Sequence, residues 1–319
     1  MKPIVKYQGG KGRELPFIRV LKPKDFKMVV EPFAGGAAGS FGLNKHSVLN
    51  DTNWNIINLY FVVQSSDYFE LQDMVDELKT KKHDDLEKEY YIARDWLNDN
   101  SYVEFLKHNL ERAYYYIVQR QLCFSGMERY NSDGLFNVPF GHYQSFGCNL
   151  SKQHHDFLQN VGLMSKSFEE LDYEGRPDAF YFIDPPYLDR LGYGQESEDL
   201  HEKLAAKLSI CTAPWLLIHN DCEFYRDTYK DYNIITQDFN YAQRFGKDKN
   251  HEKADVTHLY ITNYDVDTSR LPNKKLTPKE TAHFELGLLI QDLELEADNS
   301  IISKFTAKQA EYFINILEK

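Results

Sequence analysis

Ala179-Phe180-Tyr181-Phe182-Ile183 runs directly into Asp184-Pro185-Pro186-Tyr187. An apolar, aromatic-rich run that ends in polar chemistry predicts a buried parallel strand whose carboxyl end opens onto a site. Open α/β sheets bind ligands at that edge. The two prolines stiffen the loop, remove two backbone N–H donors and leave carbonyls to face a pocket. Asp184 adds a carboxylate acceptor and Tyr187 a flat aromatic face. Acceptors beside a stacking surface suit an exocyclic amino group on a planar base. The plainer alternative is a strand-terminating aspartate and a Pro-Pro turn.

The N-terminal half favours the ligand site. Met28-Val29-Val30-Glu31-Pro32-Phe33 reads as a short strand, and Ala34-Gly35-Gly36-Ala37-Ala38-Gly39 as the glycine turn that lets a nucleotide-like ligand approach the backbone ahead of a helix. Ser47-Val48-Leu49-Asn50 reads as a second strand, ending in Asp51, where an acidic residue is placed to hydrogen-bond ribose hydroxyls. Ala34 stands at the first glycine position, so the fingerprint is imperfect.

Taken together, these motifs resemble those of the Dam-type (D12 class) DNA adenine-N6 methyltransferases, which use S-adenosylmethionine. Lys6-Tyr7-Gln8-Gly9-Gly10-Lys11 is similar to the N-terminal motif of that family, which implies that Tyr7 and Lys11 contact the methionine part of the cofactor. Glu31, Phe33, Gly35 and Gly36 match the glycine motif, and Asn50-Asp51 the ribose-binding pair. Phe168 stands where an aromatic packs on the cofactor adenine. The resemblance makes Asp184, Pro185, Pro186 and Tyr187 the catalytic loop, with Asp184 also bordering the cofactor. Arg129-Tyr130-Asn131 and Gly134-Leu135-Phe136-Asn137-Val138-Pro139-Phe140-Gly141 resemble the hairpin that reads DNA. Similarity runs in order from about residue 3 to residue 264.

The hairpin also reads from its own residues. Arg112 to Cys123 is a helical run, after which the chain turns to Gly, Ser and Asn, and Asp133-Gly134 is a strong hairpin signal. Arg129 suits bidentate contact with a guanine edge. Phe124 and Met127 suit wedging against bases while an adenine is flipped out or, alternatively, packing the hairpin itself. By resemblance Phe124 is the intercalating aromatic, Ser125 stands where an amide is common, and Arg129 reads guanine. Lys6 contacts another base, Asn137 belongs to the reading hairpin, and His142 takes the place of a phosphate-contacting arginine. These matches favour GATC in double-stranded DNA.

Strand-like runs at 28–33, 47–50, 161–165, 179–183, 214–219, 232–237 and 256–263 alternate with helical patterns. That alternation predicts an α/β fold: a Rossmann-like, doubly wound, mostly parallel seven-stranded methyltransferase sheet. The last two strands lack a helical pattern between them and should pair antiparallel. A helix starting near Ser197 should present Leu200, Leu204 and Leu208 on one face. The long stretch between the second and third strands exceeds any sheet connection and predicts an inserted helical domain; by resemblance it is the target-recognition domain. The expected organisation is 1–64 and 151–264 for the catalytic, cofactor-binding domain, 65–150 for recognition with its hairpin at 124–141, and 265–319 as a C-terminal helical extension. In that extension Thr306 and Gln309 form a capping-box pattern, and Ala310, Phe313, Ile314 and Leu317 a stripe expected to dock on its own domain or, alternatively, on a partner.

Composition bounds the rest. A chain of 319 residues at 42% hydrophobic buries a sizeable core. No run approaches the roughly 18 apolar residues of a membrane span, and Met1-Lys2-Pro3 opens without a signal-like segment, so a cytoplasmic protein is expected; the resemblance implies that it is DNA-associated and bacterial or phage-encoded. Cys123, Cys148, Cys211 and Cys222 have no zinc spacing, so no metal is expected, and their thiols should be reduced. A net charge of −12 opposes a polyanionic partner. Local basic stretches answer part of it, unless they are ordinary solvated charge: Lys2, Lys6, Lys11, Arg13, Arg19, Lys22, Lys24 and Lys27, and a second of Arg244, Lys247, Lys249 and Lys253. His154-His155 reads as a solvated turn and His219 as a core histidine.

Ser167 replaces a carboxylate common in relatives, which implies weaker cofactor binding, and His142 implies weaker phosphate contact near neutral pH. Two alternatives stay open: a methyltransferase-fold DNA-binding protein with impaired catalysis, or methylation of another amino group.

Overall fold

The computed structural model describes residues 1–99, 109–188, 196–241, 254–272, 278–292, 302–303 and 305–317. In chain order its elements are α1 (Leu15–Leu21), β1 (Met28–Glu31), α2 (Ala38–Leu43), β2 (Ser47–Asn50), α3 (Trp54–Gln64), α4 (Tyr68–Thr80), α5 (His83–Asp99), α6 (Leu110–Leu122), α7 (Lys152–Leu158), β3 (Val161–Met164), β4 (Ala179–Ile183), α8 (Glu196–Ser209), β5 (Trp215–Asn220), α9 (Glu223–Thr228), β6 (Asn233–Tyr241), β7 (Ala254–Thr262), α10 (Pro278–Asp292) and α11 (Ala307–Leu317). The expected basic stretch at 244–253 lies outside the described residues.

The fold is mixed α/β with a seven-stranded sheet. Two compact units make up the chain: Met1–Gly12 with Phe26–Ala213, and Arg13–Asp25 with Pro214–Lys319. In the first unit the strands run β3-β2-β1-β4, all parallel, with Val29 opposite both Ser47 and Phe180. All five residues of β4 are buried, as a central parallel strand covered on both faces requires. In the second unit β7 pairs antiparallel with both β5 and β6, as the missing helical pattern between β6 and β7 implied.

Helices α3 to α6 stand between β2 and β3 in the chain and share one core with the sheet. Ile56, Leu59, Tyr60, Leu71, Val75, Leu86, Tyr90, Ile117 and Phe140 all belong to it, together with Leu49 and Val161. Asparagines start two of these helices. Asn53 accepts from the Asn55 N–H (3.0 Å) and Asn109 from the Arg112 N–H (2.8 Å), each satisfying a donor the helix itself leaves orphaned. Asn58 then exchanges two hydrogen bonds with the backbone of Asn109 (2.7 and 2.9 Å), locking α3 to the start of α6.

The His154-His155 reading is corrected here. His154 lies buried in α7, bonded to Ser151 Oγ (2.9 Å) and the Lys2 carbonyl (2.9 Å), and His155 reaches the Val63 carbonyl (2.7 Å). Each ring meets a backbone carbonyl of a distant segment, which a local pattern of polar neighbours does not reveal. His219 is buried as expected, its ring stacked 3.9 Å from that of Tyr225. In the second unit Glu14 is also buried, accepting from His258 Nδ1 (3.0 Å) and the Tyr260 hydroxyl (2.7 Å). The capping box before α11 forms, with Gln309 N–H on Thr306 Oγ1 (3.3 Å) and Thr306 N–H on Gln309 Oε1 (2.8 Å). Ala310 and Ile314 bury against Ala282 and Leu286 of α10, and Phe313 stays at the rim, stacked on Phe305.

Gly39 in α2 faces β4, where an added Cβ would lie 2.5 Å from the Phe182 ring. Gly39→Ala is expected to destabilise by about 1–3 kcal/mol through overpacking, seen as a lower urea midpoint at unchanged slope. A wild-type midpoint would show that the Phe182 ring can yield.

Candidate functional site

The site is built where β1, β2 and β4 end. After β1 the chain turns sharply: Gly35 and Ala37 take positive φ (45° and 53°), and the Ala37 N–H closes on the Ala34 carbonyl (2.6 Å). The Ala34 N–H donates to Asn50 O (2.8 Å), stitching the turn to β2. Tyr7 explains the glycines. A Cβ at residue 35 would sit 2.6 Å from the Tyr7 ring, and one at residue 36 would sit 3.0 Å from Tyr7 Cβ. Close approach is therefore made by a side chain of the protein as well as left open for a ligand.

Asp51 clamps the same turn. Its Oδ2 accepts from the Gly35 N–H and its Oδ1 from the Asn53 N–H, both at 2.8 Å. Burial pushes its carboxyl up to about 6 even so. Glu31 is buried more deeply and accepts from the Ser40 N–H at 2.5 Å. Burial, reinforced by the like charges of Asp184 and Asp51, pushes its carboxyl up to about 8. These are two proton-hungry carboxyls on one cavity wall.

Across from them, β4 ends at Ile183 and the loop residue Asp184 meets Lys11. The Lys11 ammonium, 2% exposed, reaches both Asp184 carboxylate oxygens (2.6 and 2.7 Å) and the Gly9 carbonyl (2.7 Å). It also lies 5.0 Å from the centroid of the buried Tyr187 ring. Phe33 and Phe168 face each other with centroids 5.2 Å apart. Ser167 caps the short turn of Phe168, accepting from the Glu169 N–H (3.3 Å), with its own N–H on Glu170 (3.1 Å). One cavity of about 400 Å³ unites these parts. Tyr7, Lys11, Glu31, Phe33, Gly35, Gly36, Asp51, Phe168, Asp184, Pro185, Pro186 and Tyr187 all line it, so every residue expected to hold cofactor or do chemistry converges there.

The model of the D12 class N6 adenine-specific DNA methyltransferases matches residues 7–243, which span both this turn and the Asp-Pro-Pro-Tyr loop. The chain belongs to that family. It is 31% identical over 274 residues to the Type II methyltransferase M.CviBI of Paramecium bursaria Chlorella virus NC1A, covering 83% of this chain and all of that protein. To the Type II methyltransferase M1.LlaDCHI of Lactococcus lactis subsp. cremoris it is 27% identical over 281 residues, 83% of this chain and 96% of the relative. To the DNA adenine methylase of Serratia marcescens it is 27% identical over 248 residues, 72% and 87% of the two chains. No helix among the described residues is long and apolar enough to cross a membrane. None of their His, Cys, Asp and Glu side chains form a group of three able to hold a metal.

In this methyltransferase the residues expected to touch DNA sit on and around a loop after α6. Phe124 is 39% exposed, its N–H tied to the Pro139 carbonyl (2.9 Å), and Ser125 takes a positive φ of 55°. Met127 packs part-buried against the core. Arg129 is exposed, and Asn137 holds its fork through Oδ1 (2.7 Å) and its carbonyl (3.0 Å). The hairpin closes as predicted, with Asn131 N–H on the Leu135 carbonyl (2.9 Å) and Gly134 at φ 76°. His142 is exposed with φ 56°, its ring parallel to that of His83 at 6.1 Å. Lys6 donates to the Gln121 carbonyl (2.7 Å) and lies 4.0 Å over Tyr143. Lys11 does not join the expected basic face, because Asp184 draws it inside.

Sequence reading missed Arg120 and Glu128, together with Asp199 and Lys203 on the cavity wall. An arginine among Ile117, Val118 and Leu122 is the one available signal for Arg120, since such a charge must be paired or out of register.

The Glu31 carboxyl, raised from 4.5 to about 8, contributes stability that is fully present below pH 4.5 and lost as pH rises through 8. Glu31→Gln is expected to gain on the wild type across that window, by about 1 kcal/mol or more at the alkaline end. Melting temperatures of both proteins at a series of pH values check this, and a constant difference would refute it.

Proposed function

We propose that this DNA adenine methyltransferase moves the methyl group of S-adenosylmethionine to N6 of an adenine turned out of duplex DNA, within a GATC-type site. The observation that carries the reading is the convergence of the Asp184–Tyr187 loop and the Glu31–Asp51 turn on one cavity. The residues present suit the cofactor. Buried Glu31 and Asp51 carboxyls, both easier to protonate than in water, favour a ligand bringing positive charge and hydroxyl donors. Phe33 and Phe168 offer faces to a planar adenine, and Tyr7 shapes the turn. S-adenosylmethionine, when bound, supplies an electrophilic methyl on a sulfonium.

The remaining work falls to the chain. Asp184 and the Pro185 carbonyl accept the N6 hydrogens of the flipped base, and Tyr187 stacks on its ring. That directs the nitrogen lone pair, a gain of orientation and preorganised electrostatics. Lys11 holds both Asp184 oxygens and so sets the direction in which the carboxylate faces. Phe124 and Met127 hold the gap in the stack, and Arg129, pre-shaped by Asn137, reads guanine. Lys6, Ser125 and His142 complete the contact. In this reading residues 65–150 are the recognition domain inserted in a doubly wound catalytic domain (1–64 and 151–264), with 265–319 as an extension.

Incubation with S-adenosylmethionine and unmethylated plasmid should yield N6-methyldeoxyadenosine by mass spectrometry, mapping by sequencing to GATC. Absence of the product, or its scatter over unrelated sequences, would overturn the reaction or the site respectively. Asp184→Ala is expected to lower turnover by about 10²-fold or more, with Asp184→Asn, which keeps one carbonyl acceptor, less affected than Ala. Near-normal turnover of Asp184→Ala would remove that residue from the chemistry.

A further inference from the structure

Arg120 has 1% of its surface exposed, and its guanidinium serves two distant stretches of chain at once. Nε donates to the Lys6 carbonyl (3.1 Å), Nη1 to the Met127 carbonyl (3.2 Å) and Nη2 to the Gly126 carbonyl (2.9 Å). Nη1 also lies 3.6 Å from the Glu128 carboxylate, and the guanidinium sits 5.5 Å from the centre of the Tyr7 ring. A planar guanidinium spreads its donors over three nitrogens and so reaches acceptors set farther apart than the donors of an ammonium, which share a single atom.

Two further contacts fasten the same pieces. Gln8 Oε1 accepts from the Glu128 N–H at 2.7 Å. Gly126, at φ 67°, lies so close to Lys6 that an added Cβ would meet Lys6 Cβ at 3.4 Å. On one side of this junction, Tyr7 covers Gly35 and Gly36 and lines the cavity. On the other, residues 124–129 carry Phe124, Met127 and Arg129. Glu128 belongs to both, lining the cavity and accepting from the Tyr130 hydroxyl at the root of the hairpin (2.8 Å). The loop cannot shift without moving Lys6 and Tyr7, and Tyr7 cannot move without disturbing the glycine turn.

Resting on the cofactor and DNA roles proposed above, we infer that Arg120 is a positioning residue that couples the two ligands, joining the DNA-reading loop to the cofactor cavity through Tyr7. Such coupling is reciprocal: DNA on the loop tightens cofactor binding by the factor with which cofactor tightens DNA.

The test uses the full chain and S-adenosylhomocysteine, which cannot react. Its affinity is measured by calorimetry alone and with a saturating duplex bearing the sequence methylated in the plasmid assay. The wild type is expected to bind about tenfold tighter with duplex. That ratio should fall below about twofold in Arg120→Lys and in Gln8→Ala. A purely structural role would weaken each ligand separately and leave the ratio unchanged. Circular dichroism reports whether Arg120→Lys folds; if it does not, Gln8→Ala, at an exposed position, decides alone. A wild-type ratio of one, or folded variants keeping the wild-type ratio, overturns the inference. A wild type that methylates adenine without the ratio overturns the coupling alone, and one that binds neither ligand overturns the function proposed above.

Discussion

The ion pair between Lys11 and Asp184 is the contact on which the site depends. It joins residues 173 positions apart and holds the N-terminal segment against the end of β4. With Lys11 almost fully buried and the Asp184 side chain only 20% exposed, removing either partner strands a charge away from water. Breaking such pairs costs about 3–5 kcal/mol when burial is complete, so this one, with one edge open, belongs toward the lower figure. The segment pinned by Lys11 also carries Lys6, Tyr7 and Gln8, so one ammonium fixes the wall against which the glycine turn packs.

Opposite that pair the chain places two carboxyls at a disadvantage. Glu31 and Asp51 are buried, each is satisfied by backbone N–H groups, and each remains easier to protonate than in water. Their backbone bonds hold the turns after β1 and β2 in shape. Desolvation and mutual repulsion leave the cavity wall poised for positive charge, and a ligand bringing it would relieve a cost already present in the fold.

Charge distribution answers the objection raised by a net charge of −12 differently from a simple basic face. Lys11 turns inward, Lys27 meets Asp178 at 3.4 Å, and Lys6 is bound to a carbonyl and an aromatic ring. The N-terminal lysines are thus as much scaffold as electrostatic surface. Arg129 remains exposed, and its guanidinium is aimed by Asn137, so the loop presents a formed donor fork in place of a diffuse patch.

Strand positions were legible because a buried parallel strand must be apolar throughout, as β4 is, and because the turns beyond β1 and β4 need glycine or proline chemistry. The cavity residues at strand ends were legible for the same reason: strand ends are places in the sequence, and the fold puts those of β1, β2 and β4 side by side, whereas Tyr7, Lys11 and Phe168 were expected from the resemblance alone. Though Glu128, Asp199 and Lys203 on the wall escaped it, sequence alone thus determined which strand-end residues reach the site. Tertiary structure decided whom they meet. That Lys11 binds Asp184, that Tyr7 accounts for Gly35, that His154 is buried, and that Arg120 ties Gly126 and Met127 to Lys6 are contacts between distant segments. No local pattern encodes them, because the partner of a buried polar group is chosen by three-dimensional proximity and by the desolvation cost of having none.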